Sequence, residues 1–344
     1  MGLSIAMVTS WKVRCGIASY SESLATALAK QGVNVYIVRL PRFGQKTKEI
    51  VLDVADRIPT KKIDLIHVEH EYGLYQGYEP DFYGYLQTTK LPIVTTMHAV
   101  GSWQTDTGIR SISKKVIVHN KYCADRFGFP CVIISHGCLP AKRLPKDDCK
   151  KSFGIDPRIK VVGYCGFISN YKGLEDLILA MTKVENVGLV LGGGWHVAGP
   201  ETQYIAQLRQ SSLQMLGDRC QWIGYVSDDK LASVYGSMDV VVYPSRYVSE
   251  SGALLMALSH GKAVIARNLA PMREKAELGA LTLFNSVDDL VQKIKELLED
   301  DSLRKSLEEG AKKYCQANSW DNVAKRHIEL YKSILTKPKK VRKK

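Results

Sequence analysis

The chain has 344 residues, about twice the length of an ordinary domain, so two domains are expected. Hydrophobic residues at 45% and charged residues at 24% exclude a disordered or fibrous protein. Forty-eight Lys and Arg against 35 Asp and Glu leave a net charge of +13, which favours anionic partners such as phosphates, nucleotides, acidic lipids or nucleic acid.

No apolar run approaches the roughly 18 residues of a membrane-spanning helix. No charged start with an apolar core marks a secretory signal, so the expected location is the cytoplasm. The last eight residues, Lys337-Pro338-Lys339-Lys340-Val341-Arg342-Lys343-Lys344, hold six positive charges. They read either as a solvated end or as a patch for an anionic leaflet, where each Lys or Arg gains roughly 1 kcal/mol. The second reading makes the protein peripheral on the inner face of the membrane. Eight cysteines, with no C-x-x-C pair, fit reduced buried thiols better than a zinc site, so no metal is expected.

In chain order, short β-branched runs alternate with helical patterns, which is the signature of βαβ units and a parallel sheet. Strands are expected at Ser4–Thr9, Val33–Arg39, Ile63–Glu69, Ile93–His98, Lys115–His119 and Cys131–Ser135, with a first helix at Ala18–Lys30. A polar, basic stretch from Pro140 to Lys151 follows. Beyond it, strands are expected at Lys160–Cys165, Val187–Leu191, Cys220–Ile223, Asp239–Tyr243 and Ala263–Ala266. Helices are expected at Leu174–Lys183, Thr202–Leu216, Asp229–Tyr235 and Gly252–Ser259. Three more helical patterns, Asp288–Leu298, Ser302–Gln316 and Trp320–Leu335, close the chain. The expectation is α/β, two doubly wound Rossmann-like parallel-sheet domains facing a cleft. Ligands of such sheets bind beyond the carboxyl ends of the strands, so residues just after strands are the candidates.

The loop after the first strand carries Arg14 and Gly16, and a glycine opening a helix lets backbone amides approach an anion. It lacks the G-x-G-x-x-G pattern, and no acidic residue closes the next strand, so a nicotinamide or flavin site is disfavoured. His67, His70 and Glu71 follow the third strand and His98 ends the fourth. His119 and His136 close the next two. Several histidines at the strand ends of one sheet converge on one edge and fit a polar substrate site.

The second half has the sharper signals. Ser169-Asn170-Tyr171-Lys172-Gly173 lies between a strand and a helix, where a lysine pairs with phosphate as a point charge. Ser251-Gly252-Ala253-Leu254 opens another helix, whose free amides and dipole suit a diphosphate.

With Gly16, Thr96-Met97-His98, Tyr171-Lys172-Gly173 and the block Pro244–Ala266 in view, the chain resembles glycosyltransferase family 4, retaining enzymes of the GT-B fold. The resemblance spans about residues 3–335. It implies sugar transfer from a nucleotide-diphosphate sugar, GDP- or UDP-linked, with no obligatory cofactor or metal. It implies a hexose as the transferred sugar, mannose being the first guess, and a glycan or lipid-linked acceptor.

The domains it implies are 1–140, the acceptor side, with a helix at about 319–336 packing back on it, and 141–318, the nucleotide-sugar side. Residues 337–344 are a basic tail. The catalytic set would be His98, Lys172 and Glu250. Gly16, Ser169, Asn170, Ser251, Gly252, Ala253 and Leu254 would bind the donor, and Arg14, His70 and Glu71 would face the acceptor. Two departures stand out. The family's E-x7-E glutamates fall on Val248 and Met256, so Glu250 stands in for the first and nothing for the second. The basic residue that commonly accompanies the phosphate lysine is replaced, Phe167 and Ser169 occupying its places. The alternatives are another GT-B enzyme on nucleotide sugars (an epimerase or phosphorylase), or a non-enzymatic basic nucleic-acid-binding protein. Nucleic acid is disfavoured because no helix-turn-helix, zinc finger or aromatic RNA-binding stripe occurs.

Overall fold

The structure, a computed structural model, describes residues 2–41, 44–139, 141–194 and 203–336. The basic tail and Thr202 therefore lie outside the described residues. The chain divides into two compact units. One runs to Gly137 and is taken up again from Trp320, and the other is Cys138–Ser319.

The first unit holds six strands, β1 (Ser4–Thr9), β2 (Asn34–Arg39), β3 (Leu65–His70), β4 (Ile93–Met97), β5 (Lys115–Val118) and β6 (Val132–Ile133). They pair in parallel in the order β2-β1-β3-β4-β5-β6. Every residue of β3 and β4 is buried, as expected of parallel strands covered on both faces. One face packs under helix Gly16–Lys30 and the last helix, Trp320–Leu335, with Tyr20, Leu24, Leu28, Val323, Ala324 and Tyr331 sharing a core. The Gln31 side-chain amide also donates to the Asp321 carbonyl at 2.8 Å. On the other face Val51, Val54, Phe82, Tyr83 and Leu86 form a second core.

The second unit holds β7 (Lys160–Cys165), β8 (Val187–Gly192), β9 (Cys220–Gly224), β10 (Val240–Tyr243), β11 (Ala263–Arg267) and β12 (Thr282–Phe284), in the order β12-β11-β10-β7-β8-β9. The order reverses between β7 and β10, which is where such sheets open a crevice for ligands. In the first sheet the reversal lies between β1 and β3.

Strand ends match the sequence expectation to within two residues, and β6 shortens to Val132 and Ile133, the two residues that pair with β5. The three-residue edge strand β12 was not expected. It follows Gly279, which turns the chain with φ +69°, and is too short to give a pattern of its own.

Candidate functional site

In the second unit, three strand ends are bound into one surface by their backbones. After β7, the Gly166 amide donates to the Gly192 carbonyl and the Ile168 amide to the Gly194 carbonyl, each at 3.0 Å. Gly193 has φ +139°, and a Cβ there would lie 1.9 Å from the Gly166 oxygen. Only glycine permits this approach.

The loop then makes a short 3-10 turn at Asn170–Lys172, and Gly173 (φ +66°) leads into helix Leu174–Met181. The Arg246 amide, just after β10, donates to the Tyr171 carbonyl at 2.8 Å. Ser169, Asn170 and Lys172 are thereby fixed beside the segment leading to helix Gly252–Ser259. The Lys172 ammonium sits 4.6 Å from the centre of the Tyr171 ring.

The start of that helix is held from below. The Tyr235 and Tyr243 hydroxyls, 3.2 Å apart, reach the Ala253 carbonyl at 3.3 and 2.6 Å, and Tyr243 also reaches the Cys165 carbonyl at 2.8 Å. Buried tyrosines of this kind tie the end of β7 to the first turn of the helix.

Ser251 caps the helix, its hydroxyl accepting from the Leu254 amide at 3.2 Å. This corrects one expectation, because the Leu254 amide serves the cap and its side chain is buried. Gly252 and Ala253 open the helix above it, where first-turn amides have no intrahelical partner and the dipole is positive. The Ser169–Lys172 turn and the Gly252–Ala253 helix start thus occur together at the β7/β10 reversal.

Glu250 needs a second correction. One of its oxygens accepts from the Ser251 amide at 2.9 Å, and the other pairs with the Lys275 ammonium at 2.9 Å. The two side chains are 5% and 3% exposed. A carboxylate committed to a buried ion pair is a support of the loop and is not presented as a group that touches a sugar. Lys275 escaped the sequence reading, since its partner lies 25 residues away and no local pattern joins them.

In the first unit, Arg14 and Gly16 lie on the exposed surface after β1, and a Cβ at Gly16 would meet nothing within 4 Å. Glu71 is half-buried and opens the short helix Tyr72–Tyr75. His70 is fully buried, stacked on Tyr75 with ring centres 5.2 Å apart and set edge-on to Tyr72 at 5.3 Å. It is therefore a core residue, and the expectation that it faces an acceptor is withdrawn.

His98 has an 11% exposed side chain, and both ring nitrogens are engaged. Nε2 lies 2.9 Å from Glu69 Oε2 and Nδ1 lies 3.2 Å from His119 Nε2. Burial pushes the His98 imidazole down to about 3 and raises the Glu69 carboxyl well above its usual range. Glu69 was read only as a strand residue. Its signal is a carboxylate between two histidines, His67 and His70, in a strand that is buried throughout. Among the described residues, no group of three or more His, Cys, Asp or Glu side chains is placed to hold a metal ion.

Two parallel six-stranded sheets with helices on both faces define the GT-B glycosyltransferase architecture. The Anabaena protein HepE, solved in complex with UDP and glucose, superposes with a TM-score of 0.78 at 18% identity, over 96% of this chain and all of that one. Residues 145–314, just under half of the chain, match the model of the family "Glycosyl transferases group 1".

An uncharacterized glycosyltransferase of Methanocaldococcus jannaschii is 30% identical over 196 residues, 54% of this chain and 48% of that protein. A D-inositol 3-phosphate glycosyltransferase of Corynebacterium urealyticum is 26% identical over 208 residues, 58% and 49% of the two chains. The chain thus spans about half the length of these curated relatives.

Proposed function

We propose that the protein is a retaining glycosyltransferase that moves a hexose from a nucleotide-diphosphate sugar to a glycan or lipid-linked acceptor. The observation that carries the reading is the meeting of the Lys172 turn with the Gly252–Ala253 helix start at the β7/β10 reversal. A diphosphate is the anion that one lysine and a pair of helix-start amides suit. The group 1 family match over the same unit supports it.

Cleaving the anomeric C–O bond builds positive charge on the sugar and negative charge on the departing diphosphate. Donors preorganised around that negative charge supply about 3–4 kcal/mol per good contact. The departing phosphate oxygen accepts the proton of the attacking hydroxyl from the same face, which retains the anomeric configuration. Gly16, Arg14, Glu71 and the exposed edge of His98 provide the first unit's polar surface for the sugar and the acceptor. Mannose from GDP-mannose is the first donor to test and glucose from UDP-glucose the second. The reaction is placed in the cytoplasm, at the inner face of the membrane where the acceptor is lipid-linked. Among the described residues, no helix is long and apolar enough to cross a membrane.

The test is thermal unfolding with GDP, UDP, ADP, dTDP and CMP in separate samples. A ligand at about 100 times its Kd stabilises the folded state by roughly 2.7 kcal/mol. A selective rise with one nucleoside diphosphate is the expected result. No rise with any of them overturns the reading.

A further inference from the structure

The ends of β3, β4 and β5 bury a chain of hydrogen bonds whose direction is dictated by its last member. The Ile134 carbonyl lies 3.1 Å from His119 Nδ1 and can only accept, so His119 Nδ1 carries a proton. In a neutral imidazole the other nitrogen is then an acceptor, so His119 Nε2 receives the Nδ1 proton of His98 across 3.2 Å. A neutral His98 is left with an unprotonated Nε2, which faces Glu69 Oε2 at 2.9 Å. The bond between them then requires the carboxyl group to be the donor.

The surroundings favour this neutral arrangement. Glu69 is fully buried, and its second oxygen has no hydrogen-bond partner among the described residues. An ionised carboxylate would leave that oxygen desolvated and uncompensated, which costs more than an unpaired oxygen of a neutral acid. His67 Nε2 lies 3.6 Å from that oxygen, beyond hydrogen-bond reach, and is occupied by the Thr96 hydroxyl at 2.8 Å. His67 Nδ1 in turn meets the Tyr331 hydroxyl at 2.6 Å. The Tyr20 ring closes the chain from the helix side, 4.8 Å from His98 and 5.2 Å from His119 between ring centres. His136 stands 5.8 Å beyond His119. No lysine or arginine takes part in these contacts.

We infer that Glu69 is a positioning residue that acts as a protonated acid. It donates to His98 Nε2 and holds that ring neutral, in its Nδ1–H tautomer, at the strand end where the proposed function places the transferred sugar. His98 then contributes a fixed, uncharged edge to the site and takes no part as an acid or base. The inference rests on the proposed function for its catalytic meaning, but not for the protonation pattern itself.

The experiment is side-chain ¹⁵N NMR of the full-length protein from pH 6 to 8, with His98 assigned by its loss in His98→Gln. The expected spectrum has His98 protonated at Nδ1 alone throughout. Glu69→Gln keeps that pattern, because the amide N–H replaces the acid as donor to Nε2. Protonation of both His98 nitrogens in the wild type, or loss of the pattern in Glu69→Gln, overturns the inference. Where a nucleotide sugar such as UDP-glucose or GDP-mannose is turned over, Glu69→Leu is expected to lower kcat about tenfold and Glu69→Gln to restore most of it. Equal loss in both variants also overturns it. Failure of nucleotide binding alone counts against the proposed function and leaves the NMR result standing.

Discussion

Lys275 and Glu250, 2.9 Å apart and almost wholly buried, form an ion pair that ties helix Ala270–Glu277 to the loop before helix Gly252–Ser259. Removing one partner of such a pair leaves an uncompensated charge and costs about 3–5 kcal/mol. Lys275→Met is expected to destabilise the second unit by about that much in urea unfolding. The double variant Lys275→Met/Glu250→Gln should recover most of the loss. A Glu250→Gln protein of unchanged stability that has lost all turnover would return Glu250 to the catalytic set.

The proposed function gives Lys172 the role of meeting the departing phosphate. Lys172→Ala is expected to lower kcat/KM at least about tenfold, the scale of one lost electrostatic donor, with little change in Tm because the ammonium stands over an exposed tyrosine. Near-normal kcat/KM would remove Lys172 from the site.

Gly193 holds the loop after β8 against the loop after β7. A Cβ at φ +139° would sit 1.9 Å from the Gly166 oxygen, so the two loops must separate in Gly193→Ala. The expected cost is at least about 2 kcal/mol, from steric overlap added to a conformation alanine avoids. Nucleotide-induced thermal shifts should be lost along with it. Alanine accepted at wild-type stability would mean that this surface is not built as described.

The buried histidines set the acid limit of the first unit. Burial lowers His98 to about 3, His327 to about 4 and His67 well below the ordinary 6.5. All three bind protons when the chain unfolds near pH 5.5 but stay neutral while it is folded. Glu69 works in the opposite sense, since its raised value keeps a proton in the folded state that the unfolded chain has released above about 4.5. The balance is roughly two protons taken up on unfolding, so stability falls with falling pH by about 2–3 kcal/mol per unit between pH 6 and 5. Urea titrations at half-unit steps, with a probe in the first unit, check the slope. A flat profile there would mean that these rings are hydrated or paired with anions in solution.

Most of the strands are legible because they are β-branched runs bounded by turns, and a parallel strand buried on both faces needs no register with a distant partner to be recognised. Ser4–Thr9, Lys160–Cys165 and helix Gly252–Ser259 appear with the ends that their residues suggested. Lys172 and Ser251–Ala253 lie after strands, where their sequence positions suggest. The surroundings of His70 and Glu250 were not legible in that way. Whether a polar side chain after a strand turns outward or inward is decided by what packs beneath it. The stacking of Tyr75 on His70 and the arrival of Lys275 at Glu250 are tertiary events. Glu69 was hidden for the opposite reason. It lies inside a strand, where a lone acid has no periodic signature, and its role depends on His98, after the adjacent strand β4, and on His119, after β5 one strand further on.

The second unit begins and ends at one place. The Cys138 amide donates to the Asn318 carbonyl at 2.8 Å, and Cys138 and Ser319 are bridge partners. Residues 138–319 are therefore an insert whose two ends touch, spliced into a chain that resumes at Trp320. Such a segment can be excised, expressed alone or reopened elsewhere with its old ends joined by a short linker, without stretching the backbone.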